Sequence, residues 1–318
     1  MATMQVSNIV LVFSVVFKFI AMIIGVLGNI TVIIYTIFSG KEKTATSYLV
    51  GNLGLADLLV CLTFYPISII ELIQIILNIG NDQDLFCKLH RSTIWALLFA
   101  SVATLLAITV DRYLYIIKPL KYPLIVTKRR VFLAIWGIWL AVCCLCTVLV
   151  FRFRRSVDSG LRSLCSADEH TYLLLKIFVG YVPLILIFIL NFQIFNVARK
   201  QRKRILAEAT VTINISSEMS SKRLIGIVRL LVGFKAAKTF AIVVALLTFC
   251  VLTPTVVSKA IRSCTEPCRQ MWFIVFQYDF YGMNSIVNAF IYGLRHIKYR
   301  KAYGNIPLKL LCCNKLTN

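Results

Sequence analysis

Apolar residues along this chain fall into seven long blocks: Ile9 to Phe38, Thr46 to Leu77, Phe86 to Ile117, Val131 to Phe151, Leu173 to Val197, Thr239 to Ser258 and Met271 to Leu294. A helix needs roughly 20 consecutive apolar residues to cross the hydrocarbon core of a bilayer, and each block reaches that length. Lipid offers no hydrogen bonds to the backbone, so a spanning segment must be a helix or part of a closed barrel. These blocks are far longer than the ~10 residues of a barrel strand. The pattern predicts an all-α integral membrane protein, a seven-transmembrane helix bundle that takes up residues 1–318 as a single domain. Only a short outer segment, 1–8, and a tail, 294–318, are left outside it.

Charge sets the direction of the bundle. The chain is 59% hydrophobic and 15% charged, and of its 35 Lys and Arg residues, 24 follow the first, third, fifth and seventh blocks. Basic loops stay on the cytoplasmic side, which predicts an extracellular amino terminus and a cytoplasmic tail in a multi-pass protein of the plasma membrane. The net charge of +22 is thereby read as topology. Spread over loops without a binding module, it gives no support to nucleic-acid binding. The first block is too long and lacks the basic leader of a cleavable signal peptide, so it is taken as the first helix.

Some polar residues stand where lipid makes them expensive, and such residues are functional candidates. The stretch from Ser92 to Val110 has no charge and ends on Asp111, Arg112 and Tyr113. Arg112 is a permanent cation with donors in a planar fork, and Asp111 is placed to neutralise it. Asp57 lies in the middle of the second block, Lys18 and Lys176 lie within the first and fifth, and Lys259 directly follows the sixth at the end of the same membrane segment. Pro66, Pro183 and Pro254 each remove a backbone hydrogen bond, and a kink at Pro254 would serve as a hinge. The histidines, His90, His170 and His296, stand in no membrane segment beside a nucleophile, so the chain is not expected to be an enzyme.

In order, Gly28-Asn29, Leu55-Ala56-Asp57, Cys87, Asp111-Arg112-Tyr113, Trp139, Pro183, Pro254 and Asn288-Ala289-Phe290-Ile291-Tyr292 resemble the landmarks of the rhodopsin-like (class A) G-protein-coupled receptors. The resemblance covers nearly the whole chain. It implies that Asp111, Arg112, Tyr113, Pro254, Asn288 and Tyr292 form the switch that couples to a heterotrimeric G protein. It also implies a sodium ion held by Asp57, Ser101, Asn284, Ser285 and Asn288, with no other cofactor, and a disulfide between Cys87 and Cys165. Several positions depart from the family pattern. Leu252 or Val251 replaces the tryptophan before Pro254, Asn191 replaces a tyrosine, Phe234 stands where an acid is common, and Ala289 replaces a proline, as in melatonin-type receptors.

The other cysteines divide by compartment. Cys264 and Cys268 are placed to close a small ring in an outer loop, where disulfides persist. Cys312 and Cys313 are candidates for palmitoylation of a short amphipathic helix on the inner leaflet. The residues from Thr210 to Ser221 hold the hydroxyls that phosphorylation would turn into an acidic patch for arrestin.

The ligand is less legible. Ile94 occupies the position of the amine receptors' aspartate, and Gly282 that of the opsins' lysine, so the resemblance favours neither a monoamine nor retinal. Lys176, Lys259, Trp95 and Tyr278 with Ile94 are the candidate binding residues, and basic outer loops would concentrate an anion. The expected ligand is an anionic small molecule. A short peptide or a melatonin-like molecule is the alternative, and a seven-helix transporter or channel is the alternative of a different class. Lys18 is placed to pair internally with Glu71 or Asp279 instead, which would leave Lys259 to snorkel to water.

Overall fold

A computed structural model describes residues 8–36, 44–77, 84–155, 165–166, 168–212, 242, 244–261, 272 and 276–295. The seven apolar blocks emerge as seven helical rods. They are α1 (Asn8–Ile34), α2 (Ala45–Ile76), α3 (Asp84–Ile117), α5 (Lys128–Arg152), the run from α6 (Glu169–Leu175) into α7 (Val182–Thr212), α8 (Val244–Ala260) and α9 (Gln277–Arg295). A single-turn helix, α4 (Tyr122–Ile125), lies in the loop between α3 and α5. Between α5 and α6, β1 (Arg154–Arg155) and β2 (Cys165–Ser166) form a two-residue antiparallel ladder that packs on α3. The tail, with Cys312 and Cys313, and the loop with Cys264 and Cys268 lie outside the described residues, as do the side chains of Cys87 and Cys165.

Short polar residues start the helices. Thr44 and Thr127 cap α2 and α5 by accepting the amides of Ser47 and Arg130. Asp168 caps α6, accepting Thr171 N–H at 3.1 Å and the Thr171 hydroxyl at 2.7 Å. These bonds hold the exposed Asp168 carboxyl below its usual titration range. Between α6 and α7 the helix widens to a π segment, Lys176–Tyr181, just before Pro183. Proline donates no amide to the turn before it, and a wide turn absorbs the mismatch without breaking the rod.

Packing is inverted relative to a soluble protein, because lipid covers the outside. Phe13, Ile20, Ile24 and Leu27 of α1 and Trp136 and Leu140 of α5 are exposed. α3 is the axis: 67% of its spanning window is buried, against 11% for α5. Its Ile94, Trp95, Leu98, Val102, Leu105 and Ile108 meet Leu53, Val60 and Phe64 of α2 and Ile187 of α7 in one core. With no hydrophobic force between helices in lipid, small residues and polar links hold the rods together. Asn29 donates to the carbonyls of Gly25 at 2.9 Å and Ser285 at 3.2 Å, joining α1 to α9. Trp139 Nε1 donates to Asn52 at 2.8 Å, and Asn52 Nδ2 donates to Thr104 Oγ1 at 2.9 Å, tying α5 to α2 and α3.

Candidate functional site

Three polar layers are strung along the α3 axis. At one end Asp111 is buried and Arg112 is 24% exposed by its side chain, with Arg112 Nη2 3.0 Å from Asp111 Oδ2. The carboxylate takes two further donors: the Thr46 hydroxyl at 2.6 Å from α2 and the Tyr122 hydroxyl at 2.7 Å from α4. Tyr122 also packs edge-on against Tyr115, with ring centroids 5.3 Å apart. Burial first, and then donation to the Asp111 carboxylate, push the Tyr122 phenol above its ordinary range, so it stays a donor. Arg112 Nε has no partner among the described residues, while the guanidinium carbon lies 5.7 Å from the Tyr115 ring. Tyr113 is half-buried beside this pair.

In the middle layer Asp57 is fully buried. Asn288 Nδ2 donates to its Oδ2 at 3.0 Å, and Asn284 Nδ2 donates to Ser101 Oγ at 3.0 Å. Ser101 and Ser285 stand next to the same carboxylate. Asp57 Oδ1 has no hydrogen-bond partner among the described residues, and a buried acceptor left unmatched is costly. One carboxylate with an unmatched oxygen, ringed by hydroxyl and amide oxygens, is a donor set that fits a small hard cation.

The outer layer departs from expectation. Lys18 is buried and pairs with Asp279 of α9, the internal pairing foreseen above as one of two choices. Glu71 takes different partners, His90 Nδ1 at 3.4 Å and Arg91 Nη2 at 3.8 Å. Arg91 is buried because α3 begins at Asp84 and carries it into the bundle. There its guanidinium lies 4.1 Å from the Tyr278 ring centroid. His90 is likewise inside the third span, stacked on Phe64 at 5.4 Å.

A small cavity in this layer is lined by Trp95 and Leu98 of α3, Lys176, Gly180 and Tyr181 of the π segment, Val251 and Thr255 of α8 and Tyr281 of α9. Trp95 packs on Tyr281 at 5.1 Å, and Tyr181 donates to Thr255 at 3.1 Å. Trp95 Nε1 is buried and finds no acceptor among the described residues. Of the candidate ligand residues, Trp95 and Lys176 are thus brought together. Ile94 is buried in the core, Tyr278 meets Arg91, and Lys259 is exposed and does not line this cavity. A Cβ at Gly282 would sit 3.0 Å from both Phe64 and the Tyr65 hydroxyl, so α9 packs against α2 there and no long side chain fits. Thr46, Tyr122 and Tyr281 were not foreseen. The one signal was the pair Pro119 and Pro123 bracketing Tyr122, which marks a tight turn close after Asp111.

A seven-helix bundle with an acid-arginine pair at one end of its central helix and a small cavity toward the other defines a membrane receptor of the seven-transmembrane class. The family model described as "7 transmembrane receptor (rhodopsin family)" matches residues 28–292, and the chain belongs to that family. It is a family of receptors and not of enzymes. The chain is 28% identical to the alpha-1A adrenergic receptor of Rattus norvegicus, over 92% of this chain and 67% of that protein. It is 28% identical to the alpha-1A adrenergic receptor of Homo sapiens, over 92% and 66%. With that of Canis lupus familiaris it shares 30% identity over 57% of this chain and 61% of the relative. The chain thus spans about two thirds of the length of the first two relatives.

Proposed function

We propose that this receptor takes up an extracellular ligand in its outer half and activates a heterotrimeric G protein at its inner end, with the amino terminus outside and the tail in the cytoplasm. The observation that carries the reading is the Asp111 carboxylate, held by Arg112, Thr46 and Tyr122 together. Three donors from three elements neutralise and fix the acid that restrains Arg112. Once parted from that acid, the partly exposed guanidinium is available to a protein partner. Asp111→Asn should therefore raise ligand-free guanine-nucleotide exchange several-fold in membranes containing the G protein. Arg112→Ala in the same background should abolish it at matched surface expression. Exchange unchanged by Arg112→Ala would refute the coupling role.

The proposed ligand is a small molecule with an anionic or strongly accepting group. Lys176 and the unmatched indole N–H of Trp95 line one cavity, and an acceptor entering it would meet both. The adrenergic ligands that name the relatives are not carried over. Ile94, at the amine receptors' aspartate position by resemblance, is apolar and buried and offers no charge to an ammonium group.

Asp57, Ser101, Asn284, Ser285 and Asn288 are the residues that would hold a sodium ion, whose charge would neutralise the buried carboxylate. Pro254 and Tyr292 belong to the proposed switch on helices α8 and α9. Bridges from Cys87 to Cys165 and from Cys264 to Cys268, lipidation of Cys312 and Cys313, and arrestin recruitment by phosphorylated residues 210–221 complete the proposal. They rest on the sequence reading.

A further inference from the structure

A second cavity, of about 270 Å3, lies near the Asp111 end between α2, α3, α4 and α5. Its walls are Leu49 of α2, Val110 and Leu114 of α3, Ile125 of α4 and Val131 and Ala134 of α5, and the back of Asp111 also reaches it. Apolar cavities of about 150 Å3 already hold a small hydrocarbon and exclude water, so this one is large enough for a stretch of alkyl chain. Val110 and Ala134 at its side are exposed, on faces that lipid covers.

One rim of the groove is cationic. Arg130 lines it, and its Nη1 donates to the carbonyls of Leu124 at 3.1 Å and Ile125 at 2.9 Å, which fixes the guanidinium at the end of α4. No carboxylate pairs with Arg130 among the described residues. Lys128 and Arg129 share its helical turn, and that turn contains no acid. An apolar slot at a membrane boundary, beside three cations that pair with no carboxylate among the described residues, has the polarity of an anionic amphiphile. Clusters of this kind next to a spanning helix attract anionic headgroups.

We propose that this groove binds one anionic phospholipid of the inner leaflet, its acyl chain between α3, α4 and α5 and its phosphate against Arg130. The proposal rests on the assignment of this end to the cytoplasm. A lipid so placed braces α4, the element that carries the Tyr122 hydroxyl to Asp111, and so favours the restrained state of Arg112.

The test uses the full-length receptor in nanodiscs of phosphatidylcholine with a minor fraction of phosphatidylserine, followed by native mass spectrometry of the lipid retained. A nanodisc exposes both faces, so retention is read whichever way the receptor is oriented. Orientation is read separately from antibody access to a carboxyl-terminal tag on intact cells. Wild type should retain one phosphatidylserine in preference to phosphatidylcholine. Ala134→Trp, which fills the slot and leaves the charges alone, and Arg130→Gln should each lower that occupancy at least fivefold, while Arg199→Gln, on α7, should not. Equal retention of the two lipids by wild type, or full phosphatidylserine occupancy in Ala134→Trp, would overturn the site. Loss in Arg130→Gln alone would reduce it to non-specific surface charge and overturn it as well. An extracellular tag would refute the inner-leaflet assignment without touching the retention result.

Discussion

Asp57 and Asp111 are both buried carboxylates in a lipid-spanning protein, yet their surroundings differ in kind. Asp111 is matched by a cation and two hydroxyls, whereas Asp57 keeps one oxygen with no partner among the described residues. A buried acceptor left in that state favours an added cation, and an ion that stabilises one conformation must weaken ligands that select the other. Agonist affinity should therefore fall as sodium is raised in the wild type and become insensitive to sodium in Asp57→Asn, measured by competition binding at constant ionic strength. Equal sensitivity in both proteins would leave a plain polar network. The two acids were legible in the sequence because charge inside an apolar block stands out. Of their partners, Arg112 was legible as the neighbouring cation and Asn288 through the family resemblance. Thr46 and Tyr122 escaped notice because hydroxyls in loops and helix ends are common, and only the fold brings them to Asp111.

At the scale of the helices, close approach depends on residues without side chains. A Cβ on Gly25 would run into Cys61 Sγ and lie 3.3 Å from Ile286, at the point where α1, α2 and α9 meet. Gly137 of α5 has nothing within 4 Å of the same position. Alanine is the better helix former by about 1 kcal/mol, while overpacking costs about 1–3 kcal/mol. Gly25→Ala should thus lower the melting temperature of the solubilised receptor by a few degrees, and Gly137→Ala should leave it unchanged or raise it slightly. Similar shifts in the two would show that α1 is not packed against α2 as described. The helices themselves were legible because seven apolar blocks admit few other structures in lipid. Their ends were less so. The third block opens at Phe86, two residues inside α3, and nothing in the sequence of α3 reveals that Glu71 on α2 waits to compensate Arg91.

Across the whole molecule, the outer cavity and the Asp111 pair lie on the same central helix, and α8 with Pro254 runs beside the cavity through Val251 and Thr255. A ligand held by Lys176 from the π segment would bear directly on α8 through the Tyr181–Thr255 hydrogen bond. Once an agonist is identified, Lys176→Gln should reduce its potency tenfold or more, a loss of about 1.4 kcal/mol, whereas Lys259→Gln, which does not line the cavity, should change it little. A cationic agonist indifferent to Lys176 would defeat the proposed ligand chemistry. Fold class was readable from hydropathy alone, but ligand chemistry was not, because compensation between charges is a property of the assembled bundle. The widened turn from Lys176 to Tyr181 shows the same limit in another way. In a regular α-helix five residues advance the side chain by roughly 500°, leaving position 181 about 140° around the rod from position 176. The longer reach of a π turn brings the two back toward one face, where both border the cavity. Wound instead as a regular α-helix, the same residues would carry every position before the segment about 100° further round the rod, toward a different neighbour. The chemistry offered to a ligand is therefore set as much by the number of residues in that turn as by which residues they are.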